Sequence, residues 1–301
     1  MGEADTESGH TMLEKRQHMS VGHQGKMEMN RQGISKIRVL VLAGLLALAL
    51  GMTAQAADGW VRNNNKISYL AGNNRVTGLA AIGGRTYYFD AAGVQRVSWR
   101  QIGNDYYCFR SEEMDGGYMM TNTAWNGIWL GPDGRAQLTT DRAVRKVTDM
   151  VRVSALMDRI IDSSKERLPR RINKMKACYD YLRKHYPYRY VGHFREKDPD
   201  NDLFSLEALL NRGYADCHPY ACTFAYLASA LGCSNVTIQT WYTYKYGHVG
   251  HSWVVIGDKV FDVSLGRHNK KSYALFGMKT KTFHRKYPYY HINARKNLWE
   301  L

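Results

Sequence analysis

The sequence predicts an α+β fold in two parts, an all-β module of small stacked hairpins followed by a region in which a cysteine-bearing helix packs on an antiparallel sheet. Three observations predict it. Aromatic residues recur at a step of 20 within residues 57–140. A glycine-stopped apolar helix pattern opens at Cys217. Two short β-type runs, HSWVVI and KVFDVS, flank Gly257-Asp258, a two-residue hairpin turn.

Residues 1–56 read as an export leader. Positions 37–50 are apolar apart from Arg38 and glycine, Arg31 and Lys36 precede them, and Thr53-Ala54-Gln55-Ala56 supplies a small-residue cleavage site after Ala56. The run is too short to be read as a spanning helix, so contact with a membrane is expected only through this segment, cleaved or kept as an anchor. Met27 or Met29 would start a signal peptide of ordinary length, leaving residues 1–35 as an extended n-region outside the fold.

In residues 57–140, Ile82-Gly83, Tyr87 and Phe89 recur as Ile102-Gly103, Tyr107 and Phe109, and Ile67 with Tyr69 precede Tyr87 with Phe89 by the same 20 residues. Units this small bury a core only by stacking on their neighbours. Each reads as an aromatic hairpin closed by a Gly, Asn or Asp turn, as in YYFDAAG at 87–93 and WLGPDG at 129–134. The pattern resembles, in degenerate form, the cell-wall-binding, choline-binding type of repeat. That resemblance implies aromatic pockets at unit junctions for choline or envelope sugars, with Trp60, Trp99, Tyr107, Trp125 and Trp129 as candidate walls. The competing reading is that these rings only pack the stack, which is then a spacer.

Residues 141–169 form a helical connector: 141–168 lack Gly and Pro and place Val144, Val147, Val151, Leu156, Ile160 and Ile161 at helical spacing. The last region, 170–301, opens with a helix over about 170–185 that carries Ile172, Met175, Cys178 and Leu182 on one stripe. The next helix has Asp216 as N-cap, Pro219 in the first turn where its missing N–H costs nothing, and Gly232 as the stop. Ala221, Phe224, Ala225, Ala228 and Leu231 mark one buried stripe. In WYTYKYGH, Tyr242, Tyr244 and Tyr246 share a strand face, as groove wall or core. The basic, tyrosine-rich tail from Lys279 carries no motif.

The chemistry concentrates at three residues. A helix N-terminus is electropositive and favours thiolate over thiol, so Cys217 is the candidate nucleophile, and the free N–H groups around it suit an oxyanion. If Gly257 faces Asp258, paired positions sum to 515, Trp253 opposes Asp262, and His251 becomes a diagonal neighbour of Asp262 on the same face. A three-residue turn would put them on opposite faces, so the register is a condition of the reading. His251 would then exchange the Cys217 proton, with Asp262 holding its tautomer. His248 is the rival base, which parity puts on the other face, and His218 faces away or lines the groove.

These residues resemble the transglutaminase-like superfamily, whose papain-like core carries Cys, His and Asp in that order. Cys217, Tyr220 and Ala221 match its Cys-x-x-Tyr-Ala pattern, Leu231-Gly232 its helix end, His251 and Trp253 its His-x-Trp, and Asp262 its final Asp; residues 170–266 are covered. Asp216 stands where the family often has Gly, and the hairpin is short. The resemblance implies acyl transfer on peptide or protein amides without a cofactor, and an upstream aromatic, Tyr188 or Tyr190, with Trp253, lining the groove or the oxyanion hole.

Charge and cysteine usage set the context. Residues 141–301 carry 28 Lys+Arg against 15 Asp+Glu, whereas 57–140 carry 8 against 7, so the second region holds most of the net +15 and suits anionic envelope polymers or acidic protein surfaces. With an export leader and no nucleic-acid motif, nucleic acid is not an expected partner. Five cysteines in an exported chain leave one unpaired thiol, with Cys217 the candidate, and the others do not force disulfides. No metal is expected, because Cys217 and Cys222 point apart on a helix. Two alternatives are kept. One is an NlpC-type peptidoglycan endopeptidase with His248 as base, on the likeness of ADC and GHVG, although Ser-Gly is missing after Cys217. The other is a wall-bound structural or adhesive protein with an inert enzyme-like region.

Overall fold

The structure is a computed structural model that describes residues 58–191, 201–243, 248–268, 275–292 and 294–298. The leader, Tyr244 and Tyr246 lie outside these residues, and for Tyr242 and His248 only the backbone is described.

The repeat appears as successive antiparallel hairpins. They are β1 (Gly59–Asn63) with β2 (Lys66–Ala71), β4 (Gly78–Ile82) with β5 (Arg85–Phe89), β6 (Ser98–Ile102) with β7 (Asp105–Phe109), and β8 (Thr123–Trp125) with β9 (Ile128–Leu130). Short strands β3 (Asn74–Arg75) and β10 (Ala136–Gln137) extend the first and last. The step of 20 survives intact, since β4–β5 and β6–β7 start at 78 and 85, then at 98 and 105. Two-residue turns close the hairpins; at Asn126-Gly127 both residues take positive φ, 52° and 76°, the mirror-image turn that matches strand twist. WLGPDG joins β9 to β10, and YYFDAAG turns the chain back into the antiparallel Phe89–Gln95 bridge, with Asp90 N–H donating to Val94 O and Asp90 Oδ1 accepting from the N–H groups of Ala92 and Val94. An Asp side chain that satisfies local N–H groups stabilises such a turn.

The expected helical connector is a single helix, α1 (Asp141–Ser163), with Thr140 Oγ1 accepting from Ala143 N–H at 3.1 Å. Its buried face runs through Val147, Met150, Val153, Met157 and Ile161, and Val144 is exposed. This face shares one core with Trp99 of β6, Ile128 and Leu130 of β9, and the later helices. Ion pairs reinforce the joint. Arg100 Nη1 lies 2.6 Å from Asp158 Oδ2, and Arg96 Nη2 lies 2.7 Å from Asp162 Oδ2. Hairpins and helices therefore belong to one compact unit.

Next come α2 (Arg171–His185), which buries Met175, Cys178, Tyr179 and Leu182 but exposes Ile172, and α3 (Asn201–Arg212). The central element is α4 (Cys217–Ala230). It starts as expected, with Asp216 accepting from His218 N–H. It ends in a Schellman arrangement, Cys233 N–H to Ala228 O and Gly232 N–H to Ser229 O. The single-stripe expectation fails, because all of α4 is buried: α1, α2 and α3 pack against it together with two strands of the sheet. A helix apolar on every side belongs in the middle of a fold.

That sheet is antiparallel in the order β14-β13-β12-β11-β15, formed by β11 (Val236–Thr243), β12 (His248–Ile256), β13 (Lys259–Phe261), β14 (Phe276–Lys279) and β15 (Ala294–Asn297). Helix α5 (Val263–His268) follows β13, and α6 (Thr280–Lys286) follows β14. The register matches expectation, with Val254↔Phe261, Val255↔Val260 and Ile256↔Lys259. KVFDVS is strand only as far as Phe261, since Asp262 caps α5 and Ser264 is helical rather than opposite His251. Trp241 pairs with His251 but Tyr242 with Val249, so Gly250 is bulged. A Cβ there would come within 2.3 Å of the Trp241 ring, which explains glycine. The bulge resets side-chain alternation, so parity counted from His251 does not assign His248 to a face.

Candidate active site

The capped start of α4 puts Cys217 beside the mouth of the β12–β13 hairpin. There His251 Nε2 lies 2.6 Å from Asp262 Oδ2, and both residues are buried. With Nε2 engaged, Nδ1 is the ring nitrogen left to face Cys217. Burial disfavours a charged imidazole, but the Asp262 charge and hydrogen bond, joined by the influence of the nearby Cys217, outweigh it and raise the His251 pKa to about 10. The structure thus brings together Cys217, His251 and Asp262, the three residues singled out by sequence.

Asp262 is held from three directions. Its Oδ1 accepts from Leu265 N–H at 2.9 Å, capping α5. Its carbonyl accepts from Tyr179 Oη at 2.7 Å and from Gly266 N–H at 3.0 Å. A Cβ on Gly266 would fall 2.0 Å from Tyr179 Oη, so glycine is what lets the phenol reach. Tyr179 sits on the stripe of α2 and carried no sequence signal of its own beyond the helical period.

Tyr188 lies at the same helix end. Residues 187–191 run parallel to 214–216 through the Tyr188–Ala215 bridge, and Asp216 Oδ2 accepts from Val191 N–H at 2.9 Å. Burial and the charges of Cys217 and Asp216 push the Tyr188 pKa up, against smaller opposing effects of Ser264 and the Cys217 backbone. Tyr190 is 69% exposed and sits further out on this segment. Trp253, expected to line a groove, is wholly buried, with Nε1 donating to Gln239 Oε1 at 2.9 Å. It belongs to the core beneath His251 because β12 alternation turns it to the face packed by Phe283.

His218 faces away from Cys217 into the interior, its Nδ1 3.0 Å from Ser252 Oγ and its Nε2 3.6 Å from Cys222 Sγ. Burial lowers its pKa to about 4, against a smaller opposing effect of Asp202. All five cysteines are buried free thiols. Burial raises the pKa of Cys108, Cys178, Cys222 and Cys233, to about 12 at Cys178. None of these four adjoins His251. Among the described residues no cluster of three or more His, Cys, Asp or Glu could hold a metal ion.

The candidate wall residues of the hairpins separate. Trp99 is core, its Nε1 donating to Asn126 Oδ1, and Tyr107 is buried with its hydroxyl accepting from Arg135 Nε. At 1% and 8% exposure neither is an open pocket wall. Trp125 is partly buried against the same core. Trp60 is half-buried, edge-on to Tyr69 and Tyr87 at 5.2 and 5.1 Å. Trp129 remains 46% exposed.

No family model matches the chain, and no curated protein matches it. Among solved structures it is similar to the choline binding domain of Spr1274 in Streptococcus pneumoniae, with 23% identity, 28% of this chain and 98% of that chain covered, and a TM-score of 0.24. It is similar also to choline binding protein F from Streptococcus pneumoniae, with 23% identity, 27% of this chain and 34% of that chain covered, and a TM-score of 0.18. A third is the modular Cpl-1 endolysin complexed with a peptidoglycan analogue, with 22% identity, 28% of this chain and 25% of that chain covered, and a TM-score of 0.20. The chain therefore spans about a third of choline binding protein F and about a quarter of the endolysin.

Proposed function

We propose that this protein is an exported cysteine-dependent acyl-transfer enzyme acting on peptide or protein amide bonds at the cell surface, with a transglutaminase-like, papain-like core in residues 170–301. The observation that carries the reading is the 2.6 Å bond between His251 and Asp262 beside a cysteine at the N-terminus of a buried helix. In the proposed reaction the Cys217 sulfur attacks the amide carbonyl carbon. The C–N bond breaks, His251 passes its proton to the departing nitrogen, and the acyl group remains as a thioester. Water or a second amine, deprotonated by His251, then attacks the thioester carbon and releases Cys217. Asp262 keeps the imidazole oriented and offsets its charge throughout. Hydrolysis is preferred over transamidation; Cys217 itself is buried, and the half-exposed Tyr188 at the same helix end marks the side from which water or an amine would enter.

Incubating the mature protein with a glutamine-rich peptide mixture and a labelled primary amine tests both steps. Release of ammonia or new peptide termini that is lost in Cys217→Ala supports a hydrolase. Cys217-dependent incorporation of the label makes it a transamidase. No Cys217-dependent product of either kind sinks the enzymatic reading.

The second reading is a wall-bound protein whose enzyme-like region is inert. The hairpins repeated at a step of 20, with Trp60 and Trp129 still partly open, favour it. Retention on cell walls without any Cys217-dependent turnover would make it the better account.

A further inference from the structure

We infer that Tyr290, in the segment between α6 and β15, is a positioning residue for His251, so that the C-terminal tail is part of the candidate active site. The inference rests on the acyl-transfer reading of that site. A hydrogen bond at Nε2 fixes one point of the imidazole and leaves the ring free to rock about it, which would carry Nδ1 on and off the line to Cys217. Preventing this takes a surface against the ring face. Tyr290 supplies one: its ring centroid is 4.7 Å from that of His251 and the two planes differ by 23°.

Tyr290 is itself held on several sides. It stacks on Trp253 at 5.8 Å and on Tyr287 at 5.8 Å, and it meets Phe283 at 6.2 Å and Trp241 at 5.4 Å. Those partners come from two strands, α6 and the segment after it, and two of them also meet His251: Trp253 stacks on its ring at 6.0 Å and Trp241 pairs with it across β11 and β12. The Trp241 contact depends in turn on Gly250, where a side chain would collide with the indole. Aromatic stacking of this kind excludes water from the imidazole face and presents the electron-rich face of a phenol to an imidazolium, both of which favour the thiolate–imidazolium pair.

The test is the rate of Cys217 alkylation by iodoacetamide, followed by mass spectrometry at pH 6.5 and pH 10 on the full mature chain. An ordinary thiol of pKa about 8.5 is only about 1% thiolate at pH 6.5, so fast labelling there reports the pair. His251→Ala must first slow labelling at pH 6.5; if it does not, the acyl-transfer reading of the site fails and the inference falls with it. Given that dependence, Tyr290→Leu is expected to slow labelling at pH 6.5 about tenfold while leaving the rate at pH 10, where thiols ionise unaided, within about twofold. Tyr290→Phe, which keeps the ring, should retain at least about half the parent rate at pH 6.5. Melting temperatures of both variants show whether the fold is intact. Parent-like labelling of Tyr290→Leu at pH 6.5 overturns the positioning role alone, as does an equal loss in Tyr290→Phe and Tyr290→Leu. Should Tyr290→Leu not fold, Tyr290→Met replaces it in the same comparison.

Discussion

Asp262 serves His251 with one carboxylate oxygen and a helix with the other: Oδ2 lies 2.6 Å from His251 Nε2, while Oδ1 accepts from Leu265 N–H at 2.9 Å and caps α5. The carboxylate cannot rotate toward or away from the imidazole without giving up the cap. Orientation of the candidate base is therefore tied to the local stability of α5.

This coupling predicts a ranking. His251→Ala should lower turnover by about 10²- to 10⁴-fold, the range for loss of a general acid–base group. Asp262→Ala should be severe in activity and also destabilising, by about 1 kcal/mol for the lost cap. His248→Ala should keep most activity. Steady-state rates and denaturation midpoints check all three, and a reversed order of the two histidines would move the assignment to the NlpC-type alternative.

Cys217 should be the fast-reacting thiol. All five thiols are buried, but burial raises the pKa of the other four and none of them adjoins His251, so brief iodoacetamide treatment at neutral pH is expected to label Cys217 first. Peptide mapping that finds Cys222 or Cys233 labelled as quickly would remove the case for a nucleophile.

Tyr179 and Gly266 should behave as a coupled pair. Gly266→Ala forces a methyl to within 2.0 Å of Tyr179 Oη and should displace the Asp262 carbonyl from its donor. Tyr179→Phe alone should cost only about 0.5–1.5 kcal/mol, because Gly266 N–H still satisfies that carbonyl. In a double-mutant cycle the penalty of Gly266→Ala should shrink when residue 179 is Phe, and strict additivity would count against the contact.

Stability should depend on pH through His251. Its pKa is raised to about 10 in the folded protein against about 6.5 unfolded, so its contribution is fully present below about 6.5 and is lost as pH rises through 10. The difference in denaturation midpoint between the parent and His251→Gln should therefore narrow from pH 6.5 to pH 10. A gap that is constant or widens over that window contradicts the charged pair.

Wall retention, if the hairpins bind, should depend on the rings left open. Trp129→Ala and Trp60→Ala in the full mature chain are expected to weaken retention on purified cell walls while leaving Cys217 labelling unchanged. A chain begun at Asp141 is the wrong comparison, because Trp99, Ile128 and Leu130 are part of the core that covers α1. Undiminished retention in both variants leaves the hairpins as a spacer.

What the sequence determined by itself is what local rules control. Asp216 as cap, Gly232 as stop, the step of 20 and the Gly257-Asp258 turn each depend on residues within a few positions, and all appear in the structure with the expected register. Tertiary structure decided everything that depends on which distant surfaces meet. Only the packing of three helices and the sheet makes α4 buried on all sides, and only the bulge at Gly250 undoes the parity argument for His248. The same holds for the rings. Trp99, Tyr107 and Trp253 looked like open walls because an aromatic carries no mark of what will cover it, whereas Tyr290 looked like an uninformative tail residue until the chain returned past α6 to lay it on His251. Burial and stacking are properties of pairs of segments far apart in the chain, and periodicity within one segment does not encode its partner.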